Sequence, residues 1–300
     1  MGGGSGVAGS EPHRSGVVAL LGRPNAGKST LLNRLVGEKL AIVTDKPQTT
    51  RSRILGILTL EGAQLMLVDT PGLHRGEKAL NVTLNELADA AAADCDVALV
   101  LVDPTEAWRG PELAMLERLR RHGAQSLLVA TKADLPAAAS AVWPPPDTGG
   151  APSLRISART GQGIPALLEA LVERLPQAPP LYPEDQLSDR PVRFLVAELV
   201  REAAFEALGQ EVPYSLAVEV IEFDESRSEL TRIRANLLVE RASQKQIVIG
   251  RGGAVIKQIG VRARREAEQL LAGRVHLELW VKLEPKWARK AKRLKLLGYH

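Results

Sequence analysis

The chain of 300 residues is long enough for two domains. Its 45% hydrophobic and 25% charged residues suit globular protein, and with only 3% aromatics the cores must be aliphatic. A single cysteine, Cys95, excludes an internal disulfide and a cysteine-based zinc site, and no apolar run approaches the roughly 18 residues that a membrane-spanning helix needs. The formal charge of +4 is unevenly spread: residues 1–184 carry 18 Lys and Arg against 19 Asp and Glu, residues 185–240 carry 6 against 12, and residues 241–300 carry 15 against 4. The last stretch, at +11, suits a polyanionic partner.

Residues 1–14, rich in Gly, are expected to form a flexible tail. Gly6 stands where a myristoylation signal needs Ser or Thr, and no apolar core marks a secretory signal, so a cytoplasmic protein is expected. Val17 to Leu21 reads as a buried strand, and Leu31, Leu32, Leu35 and Val36 follow at helical spacing. Between them Gly22-Arg23-Pro24-Asn25-Ala26-Gly27-Lys28-Ser29-Thr30 matches the phosphate-binding P-loop in the strand–loop–helix context that the motif requires. Its N–H groups can converge on phosphate oxygens, Lys28 can reach the β- and γ-phosphates, and Ser29 can ligate Mg²⁺.

Glu38 to Arg53 is polar and aperiodic, hence a loop. Ile54 to Leu60 and Gln64 to Val68 flank Glu61-Gly62-Ala63 as a hairpin, which puts one antiparallel strand on a parallel sheet. The second strand runs into Asp69-Thr70-Pro71-Gly72, where Asp69 can hold the Mg²⁺ shell and Gly72 can offer its N–H to the γ-phosphate. An Ala-rich helix from Leu80 to Ala93, a strand from Val97 to Val102 and a helix from Pro111 to Arg121 follow. Ser126 to Ala130 is a strand ending in Thr131-Lys132-Ala133-Asp134. Ala137 to Pro152, with its Pro and Gly clusters, reads as a long irregular insertion. Leu154 to Ile156 leads into Ser157-Ala158-Arg159, and Ile164 to Leu175 is a closing helix. The alternation predicts a doubly wound α/β domain over residues 15–176 with its site at the strand C-termini.

Pro176 to Pro183 opens a linker over residues 177–190. Residues 191–300 read as a helix (Arg193 to Leu208), two strands (Tyr214 to Phe223, Glu229 to Glu240), a helical segment, Gly250-Arg251-Gly252-Gly253, a basic helix through Leu271, a strand (Val275 to Leu283) and a short basic helix (Trp287 to Leu297). A GxxG loop between helical segments fits the nucleotide clamp of a type II KH domain, an α+β fold in which glycines admit the RNA backbone. Arg251, Lys257, Lys290, Lys292 and Arg293 are the candidate phosphate contacts.

The P-loop, Asp69 to Gly72, Thr131 to Asp134 and Ser157 to Arg159 stand in the order of a translation-factor-class P-loop GTPase domain. With Tyr182-Pro183-Glu184-Asp185, Glu211-Val212-Pro213-Tyr214 and Leu297-Gly298-Tyr299 included, the chain is similar from Val17 to Tyr299 to the Era family of bacterial ribosome-assembly GTPases. The resemblance implies GTP/GDP and Mg²⁺ as cofactors, held by Gly22 to Thr30, Asp69 to Leu73, Thr131, Lys132, Asp134, Ser157 and Ala158. It implies metal ligation by Ser29, Asp69 and a first-switch threonine, of which Thr50 is favoured, and catalysis through Lys28, Thr50 and Gly72. Asp134 should select guanine by accepting from N1–H and the 2-amino group. Thr131 departs from the usual Asn, and Leu73 from the glutamine of Ras-like enzymes, so slow intrinsic turnover is expected. Asn25 has two readings: a ligand that helps to hold K⁺ beside the phosphates, or a residue that merely favours the turn. The implied partners are small-subunit ribosomal RNA near its 3′ end and the maturing small subunit, with RNA rather than DNA in the KH domain. Peripheral membrane contact, also attributed to the family, has no independent support in these residues. The rival reading is an RNA chaperone that uses guanine nucleotide only as a structural ligand.

Overall fold

The computed structural model describes residues 12–44, 53–69, 86, 89–90, 93–106, 108, 110–209, 212–227 and 229–298. Its first half is a sheet ordered β2-β3-β1-β4-β5-β6. The strands are β1 (Arg14–Leu21), β2 (Ile54–Leu60), β3 (Ala63–Asp69), β4 (Val97–Val102), β5 (Gln125–Ala130) and β6 (Ser153–Arg155). Only β2 and β3 pair antiparallel, through the expected hairpin, whose Gly62 takes the left-handed φ of 74° that the tight turn needs. Among the described residues, α1 (Lys28–Val36), α2 (Gly110–Arg121), α3 (Pro136–Ser140) and α4 (Ile164–Arg174) pack around the sheet. Strand alternation sorts the core into two layers. Val18 and Leu20 join Leu31, Leu32, Leu35, Leu167 and Leu171 on one side, while Ala19 and Leu21 join Met115, Leu116 and Leu119 on the other. Burial on both faces explains why these strands read as continuous apolar runs.

Two expectations change. The stretch from Ala137 to Pro152 is not wholly irregular: Pro136 initiates α3, and Ala137 to Ala139 continue it, a proline start followed by the best helix formers. Residues 177–190 are not a loose tether. Gln64, fully buried, accepts the N–H groups of Leu181 and Tyr182 at 2.8 and 3.0 Å and donates to the Tyr182 carbonyl at 2.9 Å. Further along, Ile57 N–H donates to Leu187 O at 2.8 Å and Ser188 Oγ to Leu55 O at 2.7 Å, so this segment covers the edge of β2. At the other end β1 already includes Arg14, whose N–H donates to Gly62 O at 2.9 Å.

The second half is a three-stranded sheet of β7 (Ala217–Asp224), β8 (Thr231–Val239) and β9 (Val275–Leu283). β7 runs antiparallel to β8, with a bulge between Val220 and Glu222, and β9 runs parallel to β8 as an edge strand. α5 (Val192–Ala207), α6 (Ala242–Ile249) and α7 (Ala254–Leu270) pack on one face, burying Val200, Ala204, Val248, Ile259 and Ala263 against Ala235 and Leu237. Tyr214 falls in a 3₁₀ turn, Val212–Ser215, ahead of β7. The basic C-terminal segment is a 3₁₀ turn, Trp287–Arg289, followed by α8 (Ala291–Leu296), rather than one helix. Trp287 and Leu297 anchor it on Ala217 and Leu238 of the opposite sheet face, and the Trp287 indole N–H donates to Ser215 O at 3.0 Å.

The halves touch through apolar packing, Leu195 of α5 joining the core of the first half, and through charge. Glu202 of α5, 3% exposed, meets Lys39 Nζ at 2.9 Å and accepts the Val43 N–H at 3.3 Å; Glu266 of α7 takes the same Lys39 at 3.0 Å. Burial opposes the Lys39 charge, but the bonds to Glu202 and Glu266 outweigh it and raise the Lys39 pKa.

Candidate nucleotide site and nucleic-acid surface

The P-loop closes as its sequence demands. Gly22 has φ 145°, Gly27 has φ 92° and caps α1, and Asn25 itself sits at φ 62°, a conformation that asparagine tolerates better than most residues. Lys28, 7% exposed, donates to Gly22 O at 3.0 Å and Arg23 O at 2.8 Å, so its ammonium lies inside the loop. Burial lowers its pKa, against the pull of Asp69. Arg23, expected beside the nucleotide, turns its guanidinium to the buried carboxylate of Glu112 at 2.8 Å and offers the site only its backbone.

The end of β3 places Asp69 opposite the start of α1. Asp69 is fully buried, and its Oδ2 accepts from Ser29 Oγ at 2.6 Å. Burial pushes its pKa up, while Lys28 and the Ser29 hydroxyl hold it down. Its other oxygen, Oδ1, is buried without a hydrogen-bond partner among the described residues. A carboxylate oxygen left bare beside a hydroxyl is the donor set that a hard divalent cation takes. Thr50, Thr70, Pro71, Gly72 and Leu73 lie outside the described residues, as do the second switch from Leu73 to Lys78 and most of the Leu80 to Ala93 helix.

The ends of β5 and β6 bring together the residues expected at the base. Thr131 N–H and Oγ1 both donate to Val102 O, at 2.9 and 3.2 Å. Its side chain stands near Gly27, where an added Cβ would lie 3.6 Å from Thr131 Cβ, and its hydroxyl is bonded to Val102 O rather than to the P-loop. Lys132 takes the left-handed φ of 56° and pairs with Asp103 at 2.6 Å. Asp103 was not legible as a site residue; an acid one residue beyond the apolar run of β4, level with the β5 terminus, was the available signal. Asp134 accepts from buried Ser157 Oγ at 2.6 Å and pairs with Arg159 at 2.8 Å. The Ser157 hydrogen bond, ahead of the Arg159 charge, holds the Asp134 pKa below its ordinary value. Ser157 is thus a positioning residue for Asp134, and Ala158 follows it in the same loop.

In the second half, Gly250, Gly252 and Gly253 have φ of 74°, 60° and 80°. A Cβ on Gly250 would strike Val255 at 2.5 Å, whereas positions 252 and 253 face open space. All three glycines serve the left-handed turn; Gly250 is in addition crowded by Val255, while Gly252 and Gly253 leave room for something to approach. Arg251 and Lys257 are exposed beside this loop. Next to it, α7 and β9 enclose a groove of about 440 Å³ lined by Ile256, Lys257, Gly260, Arg264, Leu277 and Leu279. Lys290 and Lys292 are exposed, but Arg293 is not available to phosphate. Its guanidinium holds Glu219 through two bonds, 2.6 and 2.7 Å, and Glu284 at 2.9 Å, and the side chain is 15% exposed. Basic sequence alone could not separate this clamp from its solvated neighbours.

Among the described residues no group of three His, Cys, Asp or Glu forms a metal cluster, and no helix is long and apolar enough to cross a membrane. Residues 17–132 match the family described as 50S ribosome-binding GTPase, and residues 211–288 match the KH domain. The chain is 43% identical over 295 residues to GTPase Era of Geotalea uraniireducens, covering 95% of this chain and 98% of that one. It is 44% identical over 295 residues to GTPase Era of Pseudomonas aeruginosa, covering 95% of each. A crystal structure of an Aquifex aeolicus Era variant bound to GDP.AlF4- superposes with TM-score 0.81 at 34% identity, over 95% of this chain and 99% of that chain. A crystal structure of Era with MgGDPNP and nucleotides 1506–1542 of 16S ribosomal RNA gives the same TM-score of 0.81 and 34% identity, over 96% and 99%. Likeness of this degree along nearly the full length of both chains is membership, and the protein belongs to the Era family of GTPases, enzymes that hydrolyse GTP.

Proposed function

We propose that the protein is a GTP-dependent switch that binds small-subunit ribosomal RNA near its 3′ end and assists maturation of the small subunit. The observation that carries the RNA half is the open GxxG loop beside an exposed basic surface, in a chain similar over 96% of its length to an Era structure holding 16S RNA. That relative spans both domains, which outweighs the 50S particle named for the broader GTPase family.

The geometry supports a division of labour. The P-loop amides and Lys28 are placed for the β- and γ-phosphates, and Ser29 and Asp69 would hold Mg²⁺, joined on the family resemblance by Thr50; the ion would supply charge neutralisation at the phosphate oxygens. Gly72 is assigned to the γ-phosphate on the family resemblance alone. Asp134, ionised and oriented by Ser157, reads guanine, and adenine is rejected because its acceptor N1 would leave that carboxylate unmatched. Leu73 can neither orient water nor take a proton, so turnover is slow without added positive charge. Asn25 is proposed to supply part of that charge by holding K⁺; its left-handed backbone also serves the turn. Exposed Arg251, Lys257, Lys290 and Lys292 attract RNA phosphates, and Gly252 and Gly253 admit the backbone. The membrane role attributed to the family gains no support from these residues.

Phosphate release from MgGTP, with and without an RNA of nucleotides 1506–1542, tests this reading. Release should be faster in K⁺ than in Na⁺, Asn25→Ala should remove the difference, and Gly252→Asp with Gly253→Asp should abolish RNA binding while leaving GTP binding unchanged. Equal rates in both salts reject the K⁺ assignment; undiminished RNA binding by the double variant rejects the KH assignment.

A further inference from the structure

Edge strand β9 separates two surfaces. Leu277 and Leu279 face the groove beside the GxxG loop, and by strand alternation His276, Glu278, Trp280 and Lys282 face the other side of the sheet. Trp280 is 60% exposed there, an unusual place for so large an apolar ring. His276 lines both the groove and a second cavity of about 380 Å³ on the outer side, which makes it the rim between the two surfaces.

The neighbours of Trp280 on that face are polar. Asn236 stands opposite it in register, and Glu278 and Lys282 flank it along the strand. A lone indole among polar groups offers far less than the roughly 1,000 Å² of a specific protein interface. It suits a single flat ligand that stacks, and a cation beside the ring suits one attached to phosphate. Across the sheet from Trp280, Asn236 stands level with Glu219, which both Nη atoms of Arg293 hold at 2.6 and 2.7 Å.

We propose that Trp280 is a second RNA contact: a nucleobase platform that receives the strand after it leaves the GxxG groove and crosses the edge of β9. This rests on the RNA-binding reading above and adds a site on the opposite sheet face. A KH groove clamps about four nucleotides, so only a longer strand would reach Trp280.

The test compares single strands of about four and about ten nucleotides from the 3′ end of 16S RNA, binding to the full chain by calorimetry or fluorescence anisotropy. Trp280→Ala should weaken the longer strand by about 5- to 150-fold, the range for loss of one stacked base, and leave the shorter strand unchanged. Trp280→Phe, which keeps a π face, should stay within about 3-fold of the wild type. In the wild type, the longer strand should shield an exposed tryptophan from iodide quenching, and the shorter should not. Unchanged affinity of Trp280→Ala for the longer strand overturns the platform while the KH assignment stands. If the wild type binds neither strand, the RNA-binding reading falls and the platform falls with it.

Discussion

Thr131 is the residue at which this chain departs from the usual base-recognition motif, and the structure shows what the departure does. Its hydroxyl is bonded to Val102 O, and it stands near Gly27 of the P-loop without bonding to it. An asparagine there could tie the two loops together. Thr131→Asn should therefore tighten GDP binding by about 1 kcal/mol, the worth of one net hydrogen bond. Guanine preference should persist, because Asp134 and Ser157 are untouched; calorimetry showing no gain would refute this. Arg293 leads to a different expectation from that for its basic neighbours. The guanidinium beside Glu219 holds that carboxyl below its ordinary pKa of 4.5. A depressed folded-state pKa means that this bond contributes stability above the unfolded value, and the contribution is lost as pH falls through the folded one. Arg293→Ala should lower stability at neutral pH by about 1 kcal/mol, discounted for partial exposure, and Glu219→Gln should flatten the acid limb of the stability curve. Lys292→Ala should leave stability unchanged and reduce the salt dependence of RNA binding. Equal loss of stability in Lys292→Ala and Arg293→Ala, followed by urea denaturation, would contradict the distinction.

At the scale of elements, most of the fold was legible because period and punctuation agreed. β2, β4 and β9 run as their apolar patterns predict, and the hairpin around Gly62 is where the glycine put it. The P-loop and GxxG glycines were legible for the same reason: a left-handed φ leaves a mark in sequence. Long-range contacts left no such mark. Nothing in the Pro-rich stretch after Pro176 reveals that it lies along the edge of β2, since the partner that holds it, Gln64, is an amide at the start of an apolar strand. Gln64→Leu should strand two N–H groups and a carbonyl in a buried place. The expected cost is about 2–4 kcal/mol in urea unfolding, with faster proteolysis between Pro176 and Arg190. Wild-type stability in this variant would show that the segment is held by other means. Asp103 and Arg293 were missed or misassigned on the same ground, since a charge in sequence does not say which charge it will meet.

For the whole molecule, the ordered segment from Gln177 to Arg190 changes where coupling between the halves must run. A strap held by several hydrogen bonds on the β2 edge is a poor hinge, whereas Lys39 and Val43 lie on the approach to the first switch and both contact Glu202. Movement of that loop with the nucleotide would alter the surroundings of a buried carboxylate in α5, and Lys39 reaches α7, which follows the GxxG loop, through Glu266. Lys39→Met should destabilise the protein by about 2 kcal/mol, less than a fully buried pair because the Lys39 side chain is 29% exposed. It should also bring RNA affinities in the two nucleotide states closer together. Linkage requires that whatever factor GTP applies to RNA affinity, RNA applies to GTP affinity. The measurement that meets the switch directly is the affinity of the wild type for nucleotides 1506–1542 of 16S RNA, taken once with GDP and once with a non-hydrolysable GTP analogue in Mg²⁺. A difference of about 5-fold or more, matched by the same factor in nucleotide affinity with and without RNA, is predicted; identical RNA affinities in the two states would leave two independent domains on one chain and contradict the switch.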